Sequence, residues 1–479
     1  MRQRSYFQPT VSKMKPLPLL LPFVLLLTSA KHSFAQHETD HWICGNYSFL
    51  AFGPGKTTAL PGSRLRQLEG SAVVSDAVSG RLLFYSDGQN VWDSGHQLMP
   101  NGERLKGSHT STQSALIVPF PGHDGQYFLF SVKAYDDGPD GGLYSSLVDI
   151  NLRNGLGDVT EKNQLLERQT TEKLTAVPHA NGHDYWIISH AWNSDVFLVY
   201  LLTSEGITES KRIAIGSVHQ SGPVADSESM GYLKASPNGK MLAAAVYGVQ
   251  RPFELFDFDA GKGDISNVCS LGNYAGQYGV SFSPDNSKVY LTGLYPSQDA
   301  WVFDLKTGRK TVLVIEEDNG SGKTKLTPAG ALQLGIDGKL YSSFGRNQPN
   351  GSYSLAVLTS PNGSDPAPVW LRLPGRAQAP VFGLPNFMQA VFNSEKTRNE
   401  SADKTLVYPN PVGQGTRLTV FRKTNPGDAI RVFDATGKEI PSGAAKILPD
   451  RIVLDTSSWP GQQVFVIQIG SFSHKVVKN

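Results

Sequence analysis

One unit recurs along the chain and limits what it can fold into: a Gly/Asn/Asp turn followed at once by a short apolar or aromatic run. Asp76-Ala-Val-Ser-Gly80 precedes Arg81-Leu-Leu-Phe-Tyr-Ser86, and His123-Asp-Gly125 precedes Gln126-Tyr-Phe-Leu-Phe-Ser131. Asn181-Gly182 stands before His183–His190, Ser236-Pro-Asn-Gly239 before Lys240–Val246, Ser283-Pro-Asp-Asn286 before Ser287–Thr292, and Ile336-Asp-Gly338 before Lys339–Phe344. Most are followed by a second run, as at Val196–Leu202, Phe253–Phe258, Ala300–Leu305, Tyr144–Ile150 and Tyr353–Leu358. The turn residues supply tight geometry and left-handed dihedrals at low cost, and the runs are rich in β-branched and aromatic residues that suit strands.

Spacing of roughly 50 residues from turn to turn is one unit of four short strands plus loops. A single such sheet cannot bury both its faces, so neighbours must stack, and radial closure removes the flat edges of an open array. The expected fold is therefore all-β: a β-propeller over residues 36–394, with about seven blades from dividing the span by the spacing. Six or eight blades remain open, and a double β-sandwich is the alternative. The 48 glycines and 30 prolines agree with many short strands. A helical reading of Lys162–Thr175, with its mixed charges, is weak.

The ends differ from this pattern. Lys15, the apolar run Leu17–Leu27 and Ser33-Phe-Ala35 read as a secretory signal peptide over residues 1–35, with cleavage leaving Gln36 first. The run is shorter than the ~20 residues a spanning helix needs, and no later segment is long enough, so no membrane span is expected in the mature chain. Export permits a disulfide, and Cys44 and Cys269 either pair or are separately buried. Neither forms a Cys-x-x-Cys motif, so redox chemistry and a structural zinc have no support. A formal charge of +2 without a basic, aromatic-interleaved stripe gives no reason to expect a nucleic-acid partner.

After a polar linker at residues 395–401 the chain resumes as short alternating runs: Arg417–Phe421, Ala429–Phe433, Ile452–Asp455, Val464–Ile469 and Ser473–Lys478, with turns at Thr436-Gly437 and Pro460-Gly461. Residues 402–479 read as a small immunoglobulin-like β-sandwich of five to seven strands.

Several stretches also carry a resemblance. Leu83-Phe-Tyr-Ser-Asp-Gly-Gln-Asn-Val-Trp92 with Met99-Pro-Asn-Gly102, Ser111–Pro119, Glu172–Gly182 and Gly383-Leu-Pro-Asn-Phe387 together resemble the exported propeller-like proteins of gliding Bacteroidetes. The resemblance implies a WD40/YVTN-like or quinoprotein-like propeller and no assigned catalytic activity. Leu406-Val-Tyr-Pro-Asn-Pro-Val412 and Ala429–Lys438 make the tail resemble the C-terminal sorting domain of type IX secretion cargo. That implies the type IX machinery as a partner and an outer-surface or secreted location.

The densest polar-aromatic cluster is His179, His183, Asp184, Trp186, His190, Trp192 and Asn193. No zinc-ligand spacing fits it, and no phosphate loop, calcium loop or Gly-x-Ser-x-Gly occurs in the chain. The expectation is no catalytic residue, no metal and no cofactor. Trp92, His179, His183, Trp192 and Asn193 are the candidate ligand rim, suited to a glycan or peptide by stacking and hydrogen bonding. A binding or scaffold protein is the leading reading. A lyase or hydrolase with a site assembled from scattered acids, and a structural part of the gliding or secretion machinery, are the alternatives.

Overall fold

The computed structural model describes residues 37–53, 56–134, 141–221, 228–294, 299–318, 323–347, 353–364, 366, 368–372 and 382–393 of the large region. In the tail it describes 406–408, 412, 417–421, 429–443, 445–447, 451–461, 463–469 and 472–478. The signal-peptide and linker expectations lie outside these residues.

The described chain is an all-β fold built from several antiparallel sheets. Sheet one holds β1 (His41–Cys44), β2 (Ser48–Gly53) and β3 (Lys56–Ala59). Sheet two holds β4 (Ala72–Ser75), β5 (Leu82–Ser86) and β6 (Val91–Asp93). Sheet three holds β7 (Ala115–Pro119), β8 (Gln126–Val132), β9 (Gly142–Asp149) and β10 (Asp158–Arg168). Sheet four holds β11 (Thr170–Pro178), β12 (Tyr185–Ala191), β13 (Ser194–Thr203) and β14 (Gly206–His219). Sheet five holds β15 (Leu233–Ala235), β16 (Met241–Ala244), β17 (Arg251–Asp259) and β18 (Asp264–Tyr274). Sheet six holds β19 (Gln277–Phe282), β20 (Lys288–Gly293), β21 (Ala300–Asp304) and β22 (Lys310–Val312). After a ribbon of β23 (Ile315–Asp318) and β24 (Lys323–Leu326), sheet seven holds β25 (Leu332–Leu334), β26 (Leu340–Asn347), β27 (Tyr353–Leu358) and β28 (Pro368–Arg372).

Each sheet is a meander in sequence order. The recurring turns join the first strand to the second in sheets two to seven, which is why they recur. Residues 162–175, where the helical reading is weak, are the end of β10 and the start of β11. Most of β10 is exposed, which leaves its mixed charges in solvent.

Burial falls from the first to the last strand in sheets three to six. The first strands β4, β11 and β19 are buried almost throughout, whereas β10, β14 and β18 are largely exposed. The first strands also pack on one another in succession: β4 on β7, β7 on β11, β11 on β15, β15 on β19 and β19 on β25. A strand buried on both faces reads as a continuous apolar run, as Leu82–Ser86 does.

Apolar clusters fill the spaces between consecutive sheets. One joins sheets two and three, one sheets three and four, one sheets four and five. The largest runs from sheet five through six and seven to sheets one and two. There Trp42 of β1 meets Phe52, Tyr341 and Phe387, at 4.8, 5.2 and 6.1 Å between ring centroids. Residues 382–386 complete this junction. The Ala331 N–H donates to the Phe382 carbonyl, the Phe382 N–H to Leu68 and the Asn386 N–H to Ser71, and Ser71 and Pro385 form a parallel bridge.

In the tail, β29 (Leu406–Tyr408), β30 (Arg417–Phe421), β33 (Ala445–Ile447) and β34 (Arg451–Asp455) make one four-stranded sheet. The other is β31 (Ile430–Phe433), β32 (Glu439–Ile440), β35 (Gln463–Ile469) and β36 (Phe472–Lys478). One apolar cluster draws Leu418, Val420, Ile452 and Leu454 from the first and Val432, Phe465, Ile467 and Val476 from the second.

Cys44 and Cys269 are both free thiols. Neither sequence alternative describes them, since Cys44 is buried but Cys269 is exposed on the outer strand β18. Burial pushes the Cys44 thiol up to about 12, so it is an inert core residue.

Candidate functional site

The first strands of sheets two to seven begin at a common end of the stack, and the turns between second and third strands return to it. Register fixes this: Ala72 pairs with Ser86, Thr170 with Ala191, and Gln277 with Gly293. This entry end gathers the polar chemistry of the large region.

Several first strands are tied together there by bonded side chains. The Gln113 amide donates to the carbonyls of Leu174 and Leu233 at 2.8 and 3.1 Å and to Asn386 Oδ1 at 3.2 Å. Its Oε1 accepts from the N–H groups of Leu174 and Leu233. Lys234, fully buried, donates to Gln333 Oε1 at 2.8 Å and to Asn386 Oδ1 at 3.3 Å, and burial pulls its ammonium down to about 7. These residues staple first strands to the 382–386 segment.

Nearer the entry, Lys173 donates to the carbonyls of Glu228, Ser229 and Met230. Burial draws it down to about 7, against the upward pull of the Glu172 and Glu228 carboxylates. Glu172 Oε2 accepts from the Thr112 backbone N–H at 2.9 Å and its hydroxyl at 2.7 Å. Burial, reinforced by Glu69, pushes the phenols of Tyr232 and Tyr278 well up. Perturbed groups of this kind mark functional sites and structural networks alike. Here every member is buried, and the bonds of Lys173 and Glu172 run to the protein's own backbone and to the Thr112 hydroxyl, so the cluster holds the strand starts in place.

Open space lies beside it. Between sheets one and two a cleft of about 570 Å³ is lined by Arg64, Arg66, Gln89, Asn90, Trp92 and His109 among others. Tyr85 stacks on the Trp92 indole at 5.3 Å and 17°. Gln67 anchors the floor, donating to the carbonyls of Gly70, Asp87 and Ser108. Between sheets five and six a second cleft of about 360 Å³ is lined by Gln250, Asn273, Tyr274, Asp299 and Trp301 among others. Lys310 lies over both rings there, at 5.2 and 4.6 Å from their centroids. Trp92 pairs with Tyr85 as Trp301 pairs with Leu291, each the second residue of its sheet's third strand.

The expected rim residues are divided between two ends. Trp92, Trp192 and Asn193 belong to the entry end. Asn193 makes the left-handed turn between β12 and β13, with φ 56°. His179 and His183 sit in the turn between β11 and β12 at the far end. There the Asn181 N–H donates to His179 Nδ1, and the His183 N–H to Asn181 Oδ1. The five therefore do not form one rim, because a strand separates its two turns by its own length. His190, which the sequence grouped with them, is buried and stacked on His219 at 3.8 Å. Sequence reasoning missed Arg64 and Arg66. Their signal was the alternation of charged and apolar residues in Arg64-Leu-Arg66-Gln67-Leu68, which places both arginines on one side of an extended segment. Among the described residues no group of three or more His, Cys, Asp or Glu side chains could hold a metal ion, and no helix is long and apolar enough to cross a membrane.

No protein-family model matches the chain, and no curated protein does. Similar solved structures include the hydrazine synthase of Kuenenia stuttgartiensis, at 12% identity and TM-score 0.35 over 69% of this chain and 79% of that one. The periplasmic gluconolactonase of Pseudomonas aeruginosa is similar at 13% identity and TM-score 0.37, over 92% and 99%. The β-propeller domain of Cps50 (Swd1) from Myceliophteria thermophila is similar at 11% identity and TM-score 0.37, over 67% and 94%. At such scores the likenesses carry no functional assignment.

Proposed function

We propose that residues 36–394 form a seven-bladed β-propeller that binds a glycan or peptide at its entry end without transforming it. Support for the propeller comes from the succession of first strands, the outward fall in burial and the bridging of sheet seven to sheet two by residues 382–386. The tail, residues 402–479, acts as an immunoglobulin-like sorting domain read by the type IX secretion machinery, and residues 1–35 direct export, which puts the protein outside the cell or on its outer surface. The tail's sequence motifs support that reading.

The single observation that carries the binding reading is the entry-end cleft containing Trp92. It joins an indole, amides and two guanidinium groups in a concavity of about 570 Å³, within the usual range for small-ligand sites. The one carboxylate among its described lining residues, Asp87, is committed to its own turn, accepting from the N–H groups of Gln89 and Asn90 at 2.8 and 2.6 Å. It forms no acid–base pair across the cleft. Screening the chain against glycans and peptides should give saturable binding that Trp92→Ala weakens at least about tenfold, the scale of losing one stacked ring. Equal binding by wild type and Trp92→Ala would move the site elsewhere.

A further inference from the structure

Building on that binding reading, the geometry points to a carboxylated saccharide, of the uronate type, as the ligand class of the Trp92 cleft, with Arg64 and Arg66 as its anion-recognising residues. Leu65 and Gln67 are buried while Arg64 and Arg66 are exposed, so the two guanidinium groups leave one side of a single extended segment. That segment is pinned. The Tyr47 N–H donates to the Leu65 carbonyl, the Gln67 N–H to Gly45, and the Arg64 N–H to the Tyr85 hydroxyl. Neither guanidinium has an ion pair or side-chain hydrogen bond with any described residue. Asp87, the one carboxylate among the described lining residues, is buried and saturated by its own turn, and burial raises its pKa. The cleft thus presents two uncompensated planar cations, whose forked donors match a carboxylate.

Trp92 and the amides decide between an acidic saccharide and an acidic peptide. Tyr85 stacks on the indole, and the half-buried Trp92 lines the cleft. A flat aromatic face beside Gln89 and Asn90 suits a pyranose ring with its hydroxyl groups. An acidic peptide would use the arginines and have little need of the ring.

The test is calorimetric titration of the full chain with tetragalacturonate, its carboxyl-reduced neutral counterpart and a glutamate-rich hexapeptide. The expected result is binding of tetragalacturonate at least about tenfold tighter than of the neutral tetrasaccharide. That preference weakens with added salt and disappears in the Arg64→Ala/Arg66→Ala double variant. Arg64→Lys/Arg66→Lys keeps the charge but loses the fork, and falls between. Both arginines are exposed, so unchanged circular dichroism separates lost recognition from lost folding. Equal affinity for charged and neutral tetrasaccharides, both weakened by Trp92→Ala, overturns the uronate inference and leaves the binding reading standing. Tighter binding of the peptide, indifferent to Trp92→Ala, also overturns it. No binding by any of the three contradicts the inference together with the placing of the site.

Discussion

Trp42, in the first strand, meets Tyr341, in the seventh sheet, edge to face with 5.2 Å between ring centroids. The two come from opposite ends of the large region, and their contact is part of the apolar cluster that joins its last sheet to its first. Trp42→Ala removes a fully buried indole and should cost about 3–5 kcal/mol, read as a lower urea midpoint. An unchanged midpoint would show that the junction contributes little.

Gly383 approaches the chain at Glu69 so closely that a Cβ there would lie 2.0 Å from the Glu69 carbonyl oxygen. The obstacle is backbone, so the 382–386 segment would have to move. Gly383→Ala should therefore destabilise by on the order of 1–3 kcal/mol. Gly182→Ala, with open space around it and φ at +79°, should cost about 1 kcal/mol of backbone strain alone. Thermal denaturation of both variants checks the order.

Lys234 makes stability depend on pH. Its ordinary value is 10.5, and burial lowers it to about 7 in the folded protein. Below pH 7 both states hold the proton and the burial cost is fully present. Between about 7 and 10 the unfolded chain keeps the proton and the folded chain sheds it, so stability rises with pH, by at most about 1.4 kcal/mol per unit for one group. Lys173 adds in the same direction. Denaturant titrations from pH 7 to 9.5 should show the rise, and Lys234→Met should flatten it. A slope of equal steepness in the variant would mean that Lys234 stays charged throughout.

The strands were legible in the sequence because turn chemistry is local. Arg417–Phe421, read from alternation, is β30 residue for residue, and Ser236–Gly239 and Ser283–Asn286 each introduce a second strand. The side-chain staples between first strands were not legible. Gln113, Lys234 and Asn386 stand far apart in the chain, and each looks like an ordinary surface residue until several first strands converge on it. His179 and His183 misled for the opposite reason. Sequence proximity to Trp192 hid the strand β12, which carries the chain from one end of the sheet to the other.

The tail should be separable from the large region. Its core draws on its own two sheets, and its last strand is anchored by Lys478, which donates to the Thr456 and Trp459 carbonyls at 2.5 and 2.6 Å. Deleting residues 402–479 should keep the protein from the cell surface while leaving the main thermal transition in place. Surface labelling of cells that still reported the truncated chain outside would refute the sorting role.

The central claim is that this chain binds its ligand without changing it. The direct measurement is incubation of the full chain with tetragalacturonate at saturating concentration, followed by chromatographic analysis of the sugar alongside calorimetry of the same sample. The account predicts a saturable heat, lost in Trp92→Ala, and a tetrasaccharide recovered intact. A shortened or unsaturated product, formed by the wild type and abolished by Asp87→Asn at the one carboxylate among the described lining residues of the cleft, would contradict it.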